Sequence, residues 1–272
     1  MQARWLARPL VALVVTASAA LLISSVPAKP AHAETTFVVL QMNLCNSGLA
    51  IGTCYRFGRS VDEAVEKIHE YPPELVTLQE ICRDDLYSPT GWGRLAQAMA
   101  GIYGSRHVSV DFVPAVDRDT NDWYRCTDDE PYGDALIYHY SGRGHQSGWY
   151  QSQDGSDEAR AWTCATVIRA RLTACTTHLS TDPDTAARQC RELRATLTES
   201  WVQPEVIVAG DFNLAARAGT HDVRRCAPAG YDRRGDGSVQ HVFFTRNIQW
   251  MQGEHLPMRF TDHPLLYEKF RV

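Results

Sequence analysis

The chain has 272 residues, a formal charge of −5 from 27 basic and 32 acidic side chains, and eight cysteines. That balance excludes a protein that holds polyanions by bulk charge, so any phosphate substrate must be met by a bound cation or a few placed cationic groups. The even cysteine count without a C-x-x-C pair argues for disulfides in an exported chain and against a zinc site.

Taken from the start, Arg4 and Arg8 precede an apolar run from Val11 to Ile23, and Ala31-His32-Ala33 follows. A basic segment, a short apolar stretch and an A-x-A site read as a signal peptide over residues 1–33, with an uncleaved anchor as the competing reading. Residues 34–272 then form one large domain, secreted, without a membrane anchor and monomeric. With Arg4, Arg8 and Lys29 removed, 24 basic and 32 acidic residues leave it at −8. Thr35 to Leu44 is β-branched and apolar and predicts a buried strand. Ser60 to Glu63 has the form of a capping box, with Val61, Ala64, Val65 and Ile68 following at helical spacing until Pro72-Pro73. A short strand is expected over 75–78, a helix over 91–100, and a strand over 107–113. Polar, charged and aromatic residues make 117–130 a loop. Strands follow over 135–140, 163–169 and 171–177, a helix over 186–201, and strands over 206–209, 239–245 and 265–272. This mixture fits a layered α/β domain; periodicity alone does not separate a Rossmann-like sheet from a two-sheet sandwich.

The cysteines Cys45, Cys54, Cys82, Cys126, Cys164, Cys175, Cys190 and Cys226 all follow residue 33. Sequence leaves their pairing open; sequential pairing is the expectation, with Cys164–Cys175 tying neighbouring strands and the others closing loops.

Polar residues recur just past apolar strands: Asn43, Glu80, His178, Asp211 with Asn213, and Asp262-His263. Each alone reads as a turn residue or a solvated charge. Together they are the raw material of a cleft site. The stretches Gln41-Met42-Asn43-Leu44, Leu78-Gln79-Glu80, Thr177-His178-Leu179, Gly210-Asp211-Phe212-Asn213 and Thr261-Asp262-His263-Pro264 occur in this order. In that ordered set the sequence resembles the endonuclease/exonuclease/phosphatase superfamily, of the deoxyribonuclease I-like kind, from about Thr36 to Phe270. The resemblance implies an α/β fold, a four-layer α/β/β/α sandwich with two mostly antiparallel sheets face to face and helices outside. It also implies a metal-dependent phosphoester hydrolase.

Glu80 is the expected ligand of Mg²⁺, or of another divalent ion such as Mn²⁺ or Ca²⁺, with Asn43 and Asp262 beside it. His263 is expected to take the proton of the attacking water, oriented by Asp211. Asn213, His178, Arg160 and Asn43 are expected at the phosphate, and Asp134 is expected to support His178. One position departs from the family. Gln240 falls where an Asp usually holds the catalytic imidazole, and an amide can accept from that ring but cannot stabilise its cation as a carboxylate does. Trp123-Tyr124-Arg125 and Trp149-Tyr150 read first as loop packing and second as stacking elements for nucleic acid.

The leading expectation is therefore a secreted phosphodiesterase acting on DNA or RNA. A lipid or small-molecule phosphohydrolase of the sphingomyelinase or inositol-phosphatase kind is the alternative. A binding module on a degraded enzyme scaffold is the third, resting on Gln240 alone.

Overall fold

The computed structural model describes residues 35–50, 54 and 58–272; the expected signal peptide, and the boundary that follows it, lie outside them. In chain order the main elements are β1 (Thr36–Asn43), α1 (Arg59–Glu70), β2 (Leu75–Cys82), α2 (Arg94–Tyr103), β3 (Val108–Pro114), β4 (Tyr132–His139), β5 (Gly142–Trp149), β6 (Ala161–Val167), β7 (Leu172–His178), α3 (Pro183–Thr196), β8 (Glu205–Asp211), β9 (Tyr231–Gly235), β10 (Gln240–Thr245), β11 (Gln249–Leu256) and β12 (Leu265–Arg271). They form two six-stranded sheets, ordered β11-β12-β1-β2-β4-β3 and β9-β10-β8-β7-β6-β5. Each sheet contains one parallel pair, β1 with β2 and β7 with β8, and these are the pairs joined through α1 and α3. The other main pairings are antiparallel.

Three apolar layers fix the stacking. Phe37, Val39, Leu75, Leu136, Ile207, Val242, Leu266 and Phe270 fill the space between the sheets. Alternation along β1 sends Val38, Leu40 and Met42 the opposite way, onto Val61, Ala64 and Ile68 of α1 and Leu95 and Met99 of α2. On the far side, Ala186, Cys190 and Leu193 of α3 pack on Val206 and Val208 of β8. The result is a four-layer α/β/β/α sandwich. The four disulfides are Cys45–Cys54, Cys82–Cys126, Cys164–Cys175 and Cys190–Cys226, the sequential set. Cys164 and Cys175 face each other directly across β6 and β7.

Two expectations need correction. Ser60 and Glu63 form no capping box: α1 starts at Arg59 behind Gly58, which has φ 78° and no side-chain cap. Glu63 is buried and instead accepts from the backbone N–H of Arg259 at 2.9 Å and of Phe260 at 3.2 Å. It thereby anchors the segment leading to Asp262-His263. The chain also forms β5, β9 and β11, which the reading of apolar runs does not find. All three are edge strands, and the residues of β5 are mostly exposed, so no apolar pattern marks them.

One acid sits in the apolar interior. Glu268 follows the alternation of Leu266 and Phe270 on β12, is 1% exposed, and accepts from Trp250 Nε1 at 2.6 Å. Burial pushes its carboxyl up to about 7 from an ordinary 4.5, against the bond from Trp250 and the charge of Arg234. A raised carboxyl favours the fold while protonated, so this contribution is complete below about pH 4.5 and is lost as the pH rises through 7. Glu268→Gln should melt close to the parent at pH 5 and be more stable by about 2–3 kcal/mol at pH 8. Equal stability gains at both pH values in urea melts would contradict this account.

Candidate active site

The site lies where the two parallel pairs end. Asn43 closes β1, Glu80 lies near the end of β2, and His178 and Asp211 close β7 and β8, where they are paired residues in the ladder. Gln240 opens the antiparallel β10 opposite Asp211, and Asp262-His263 lie one residue, Pro264, before β12. Parallel neighbours present their C-terminal ends together, which brings these side chains from both sheets to one cleft.

Asn43 is the junction. It is 1% exposed, and its Nδ2 donates to Glu80 Oε1 at 2.9 Å and to Asp211 Oδ2 at 3.1 Å. Its Oδ1 accepts from Cys45 N at 3.0 Å, so the amide shows nitrogen, not oxygen, to the acids. Glu80 reaches this place through a bulge: the β2–β4 register shifts between Leu78 and Ile81, and Glu80 has φ 56°. Burial pushes its carboxyl up to about 7; the bond from Asn43 opposes this, Glu158 and Asp211 add to it, and Arg160 opposes it. Such a crowd of carboxylates, served by one amide and one guanidinium, fits a divalent cation in its donor chemistry.

His178 is buried. Its Nδ1 lies 2.8 Å from Arg160 Nη1 and its Nε2 3.9 Å from Glu80 Oε1. A guanidinium can only donate, so Nδ1 carries the lone pair and Nε2 the proton. Burial, then the charge of Arg160 and of His263, holds the ring well below the usual imidazole range. His178 is thus a neutral donor. The partner of Nδ1 is Arg160, where the sequence pointed to Asp134. Asp134 is 5% exposed in the same group, and burial, then Glu158's charge, pushes its carboxyl well above the usual range. Arg160 also pairs with Glu158 at 3.0 Å, while its Nε is buried without a partner among the described residues.

On the other flank, His263 Nε2 stands 3.6 Å from Asp211 Oδ2 and 3.5 Å from Asp262 Oδ1. Asp211 Oδ1 accepts from Asn213 N at 3.0 Å, and Asn213 Nδ2 donates to Leu179 O at 2.8 Å, stitching the ends of β7 and β8. The acids beside the imidazole are therefore Asp211 and Asp262. Gln240 turns elsewhere: it is fully buried, accepts from Gln41 Nε2 at 3.0 Å and donates to Pro264 O at 2.7 Å.

Gln41 and Gln240 belong to a polar tier between the apolar core and the cleft. Gln79 donates to Thr176 Oγ1 at 2.8 Å and so, like Gln41 with Gln240, joins the two sheets, while Thr77 Oγ1 donates to Gln41 Oε1 at 2.5 Å within the first. Gln240→Asp should lower stability by about 2–4 kcal/mol without raising turnover, because a carboxylate cannot donate to Pro264 O and would be buried unpaired. A variant that gained activity at unchanged Tm would show that Gln240 does face the imidazole.

Glu158 escaped the reading of strand ends, as did the contacts made by Thr261 and Tyr132. Glu158 is two residues from Arg160, the spacing of one face of an extended chain, and that opposite-charge pair was the available signal. Thr261 Oγ1 donates to Asn43 O at 2.9 Å and so holds the Asp262-His263 segment to β1. Tyr132 is buried against Glu158, a contact without local sequence signal.

Comparison with known proteins agrees with this fold. The fold is similar to that of an endonuclease/exonuclease/phosphatase from Bacteroides vulgatus (TM-score 0.62, 13% identity, covering 88% of this chain and 99% of that one). It is also similar to the human Nocturnin catalytic domain with bound sulfate (0.61, 15%, 87% and 94%). A third is D. rerio TDP2 complexed with single strand DNA product (0.58, 13%, 88% and 100%). No curated protein matches the sequence significantly. The model of the Endonuclease/Exonuclease/phosphatase family matches residues 51–263, which take in Glu80, His178, Asp211, Asn213, Asp262 and His263 but not Asn43, and the chain belongs to that family.

Proposed function

We propose that this chain is an exported, divalent-metal-dependent phosphodiesterase that hydrolyses DNA or RNA. The observation that carries the reading is Asn43 Nδ2 bonded at once to Glu80 and Asp211, with His178 and His263 beside those acids. Members of the family are phosphoester hydrolases, and the similarity to TDP2, solved with a DNA product, supports a nucleic acid substrate.

Glu80, with Asp211 beside it through Asn43 and Asp262 beyond His263, would hold the ion, which when bound polarises a phosphoryl oxygen and offsets charge on the phosphate. Asn43 keeps Glu80 and Asp211 in register, and its oxygen, committed to Cys45, makes it an orienting group more than a ligand. His263 takes a proton from water as its oxygen attacks phosphorus and the ester P–O bond breaks; Asp211 and Asp262 stabilise the ring cation. Nε2–H of His178 donates to the phosphoryl oxygen as charge builds there. Arg160 keeps that tautomer, and Asp134 lines the buried side of the same group. Asn213 holds Asp211 and would offer its second amide hydrogen to the phosphate.

A second reading has one observation in its favour. Among the described residues Leu49 and Trp123 are exposed and line one cavity, and Trp123 stacks on exposed Trp149 at 6.5 Å. Such a rim suits a lipid surface as well as a nucleobase. The test is turnover of bis-p-nitrophenyl phosphate, plasmid DNA, RNA and sphingomyelin vesicles with Mg²⁺ and with EDTA. Cleavage of DNA or RNA that EDTA abolishes supports the first reading, and cleavage of sphingomyelin alone supports the second. Absence of turnover on every ester defeats both.

A further inference from the structure

Beyond the cleft, on the outer side of β2, lies a polar cavity of about 180 Å³ whose lining includes Asn46, Ser47, Asp84, Asp85, Arg94 and Asp128. Three separate segments build it. Asn46 belongs to the loop after β1, Asp84 and Asp85 to a single 3₁₀ turn after β2, and Asp128 to the loop held by the Cys82–Cys126 disulfide. Carboxylate oxygens of Asp84 and Asp85 lie within 4.8 Å of each other and of Cys82 Sγ, and that of Asp128 lies within 4.8 Å of the same sulfur.

The acids alone would be a solvated cluster. Asn46 makes the difference. It is 7% exposed and its Nδ2 donates to Asp85 Oδ2 at 2.8 Å, which fixes the orientation of the amide. Its Oδ1 is left as a buried acceptor without a partner among the described residues. A buried acceptor is costly to leave unsatisfied. Apart from Arg94 and the hydroxyls of Ser47 and Thr127, the polar side chains lining the cavity around it are carboxylate acceptors. The one cation among the described lining residues, Arg94, is half-exposed, lies 3.3 Å from Asp85 Oδ1 and has its other arm on Asp62. Three carboxylates against one guanidinium leave the cavity at −2. Asp85 is pushed up to about 6 by burial first and by Asp84 second, and Asp84 is raised by burial first and by Asp128 second.

We propose that this cavity binds a Ca²⁺ ion, distinct from the ion expected at Glu80. Asn46 Oδ1, Asp84 and Asp128 are its ligands, with Asp85 released from Arg94 and water completing the shell. Oxygen-only ligands from three loops, at no regular angles, suit Ca²⁺, whereas Mg²⁺ demands near-octahedral geometry. The neighbouring sulfurs are oxidised and offer zinc no thiolate. Two exposed carboxylates and few protein ligands put the affinity at roughly 0.1–1 mM, the range of extracellular modules.

The test uses the full chain carrying Glu80→Ala, which removes the ligand of the expected catalytic ion. In that background 10 mM Ca²⁺ should raise Tm by about 3–6 °C, and Mg²⁺ by less. Adding Asp84→Asn and Asp128→Asn should abolish the shift and remove one Ca²⁺ from the calorimetric stoichiometry. Both residues are exposed, so the variant should melt near its parent without Ca²⁺. Adding Asn46→Asp instead should widen the shift. An absent shift, or the same shift with and without Asp84 and Asp128, overturns the proposal and leaves the reading of the cleft untouched.

Discussion

Arg160→Met should cut phosphodiester turnover at least 100-fold and destabilise the fold by about 3–5 kcal/mol. The two effects have different routes. Arg160 is 8% exposed and one of its nitrogens meets both Glu158 at 3.0 Å and His178 Nδ1 at 2.8 Å. Without it, Glu158 is a largely enclosed charge, 15% exposed, with no countercharge, and desolvation already raises its carboxyl despite the pair. That accounts for the stability loss. The activity loss follows from His178. The guanidinium forbids a proton on Nδ1, and its charge is, after burial, the main cause of the ring's neutrality. The double variant Glu158→Gln with Arg160→Met separates the routes. It should return to within about 1 kcal/mol of the parent in urea melts, since both charges are gone, yet remain inactive. If turnover also returned, Arg160 would be acting only through Glu158. If stability stayed low, the ionic account of the pair would be wrong.

The core elements were legible for a physical reason. β1, β2, β7 and β8 are buried on both faces, and such strands must read as apolar runs. Their ends were legible too, because Asn43, Glu80, His178 and Asp211 interrupt those runs abruptly. The edges β5, β9 and β11 were not, since an edge strand needs no apolar face. Boundaries slipped where a local signal had two uses. Ser60 and Glu63 have capping-box spacing, but Glu63 is taken by the backbone of Arg259 and Phe260, almost two hundred residues away in sequence. Proline at the first turn and Asp182, whose side chain accepts from Thr185 N at 2.7 Å, start α3 earlier than the apolar spacing alone indicated.

Within the site, residue identity was legible and pairing was not. Sequence placed Asp134 behind His178 and an amide behind His263. The structure has Arg160 behind His178, and Asp211 and Asp262 beside His263. Pairing is set by which strand end faces which across two sheets, and no local pattern encodes that. The departure at Gln240 is explained the same way. Its two hydrogen bonds serve the polar tier under the cleft, so the position has a structural occupation that an Asp could not fill.

Glu80→Ala and Glu80→Gly should be equally inactive and yet differ in stability, with glycine ahead by about 0.5–1 kcal/mol. Glu80 has φ 56°, in the left-handed region, because the bulge after Leu78 turns it toward Asn43 and Asp211. A residue with a Cβ is strained there by about 1–2 kcal/mol, and alanine keeps that strain while glycine releases it. Glycine also gains freedom in the unfolded chain, which offsets about 0.4–1 kcal/mol, so the strain term wins by a small margin. Turnover should fall by about three orders of magnitude in both, the loss of one carboxylate that holds a catalytic ion, several kcal/mol in the transition state. Glu80→Gln keeps the shape and the strain and should be as inactive as alanine. If it retained turnover within tenfold with Mg²⁺, Glu80 would be a shaping residue and the ion would lie elsewhere. If alanine and glycine melted together, the bulge would not be strained. The expected pattern instead has the backbone held in an unfavourable conformation so that one carboxylate reaches the junction of both sheets, which is where strain is expected when it serves chemistry.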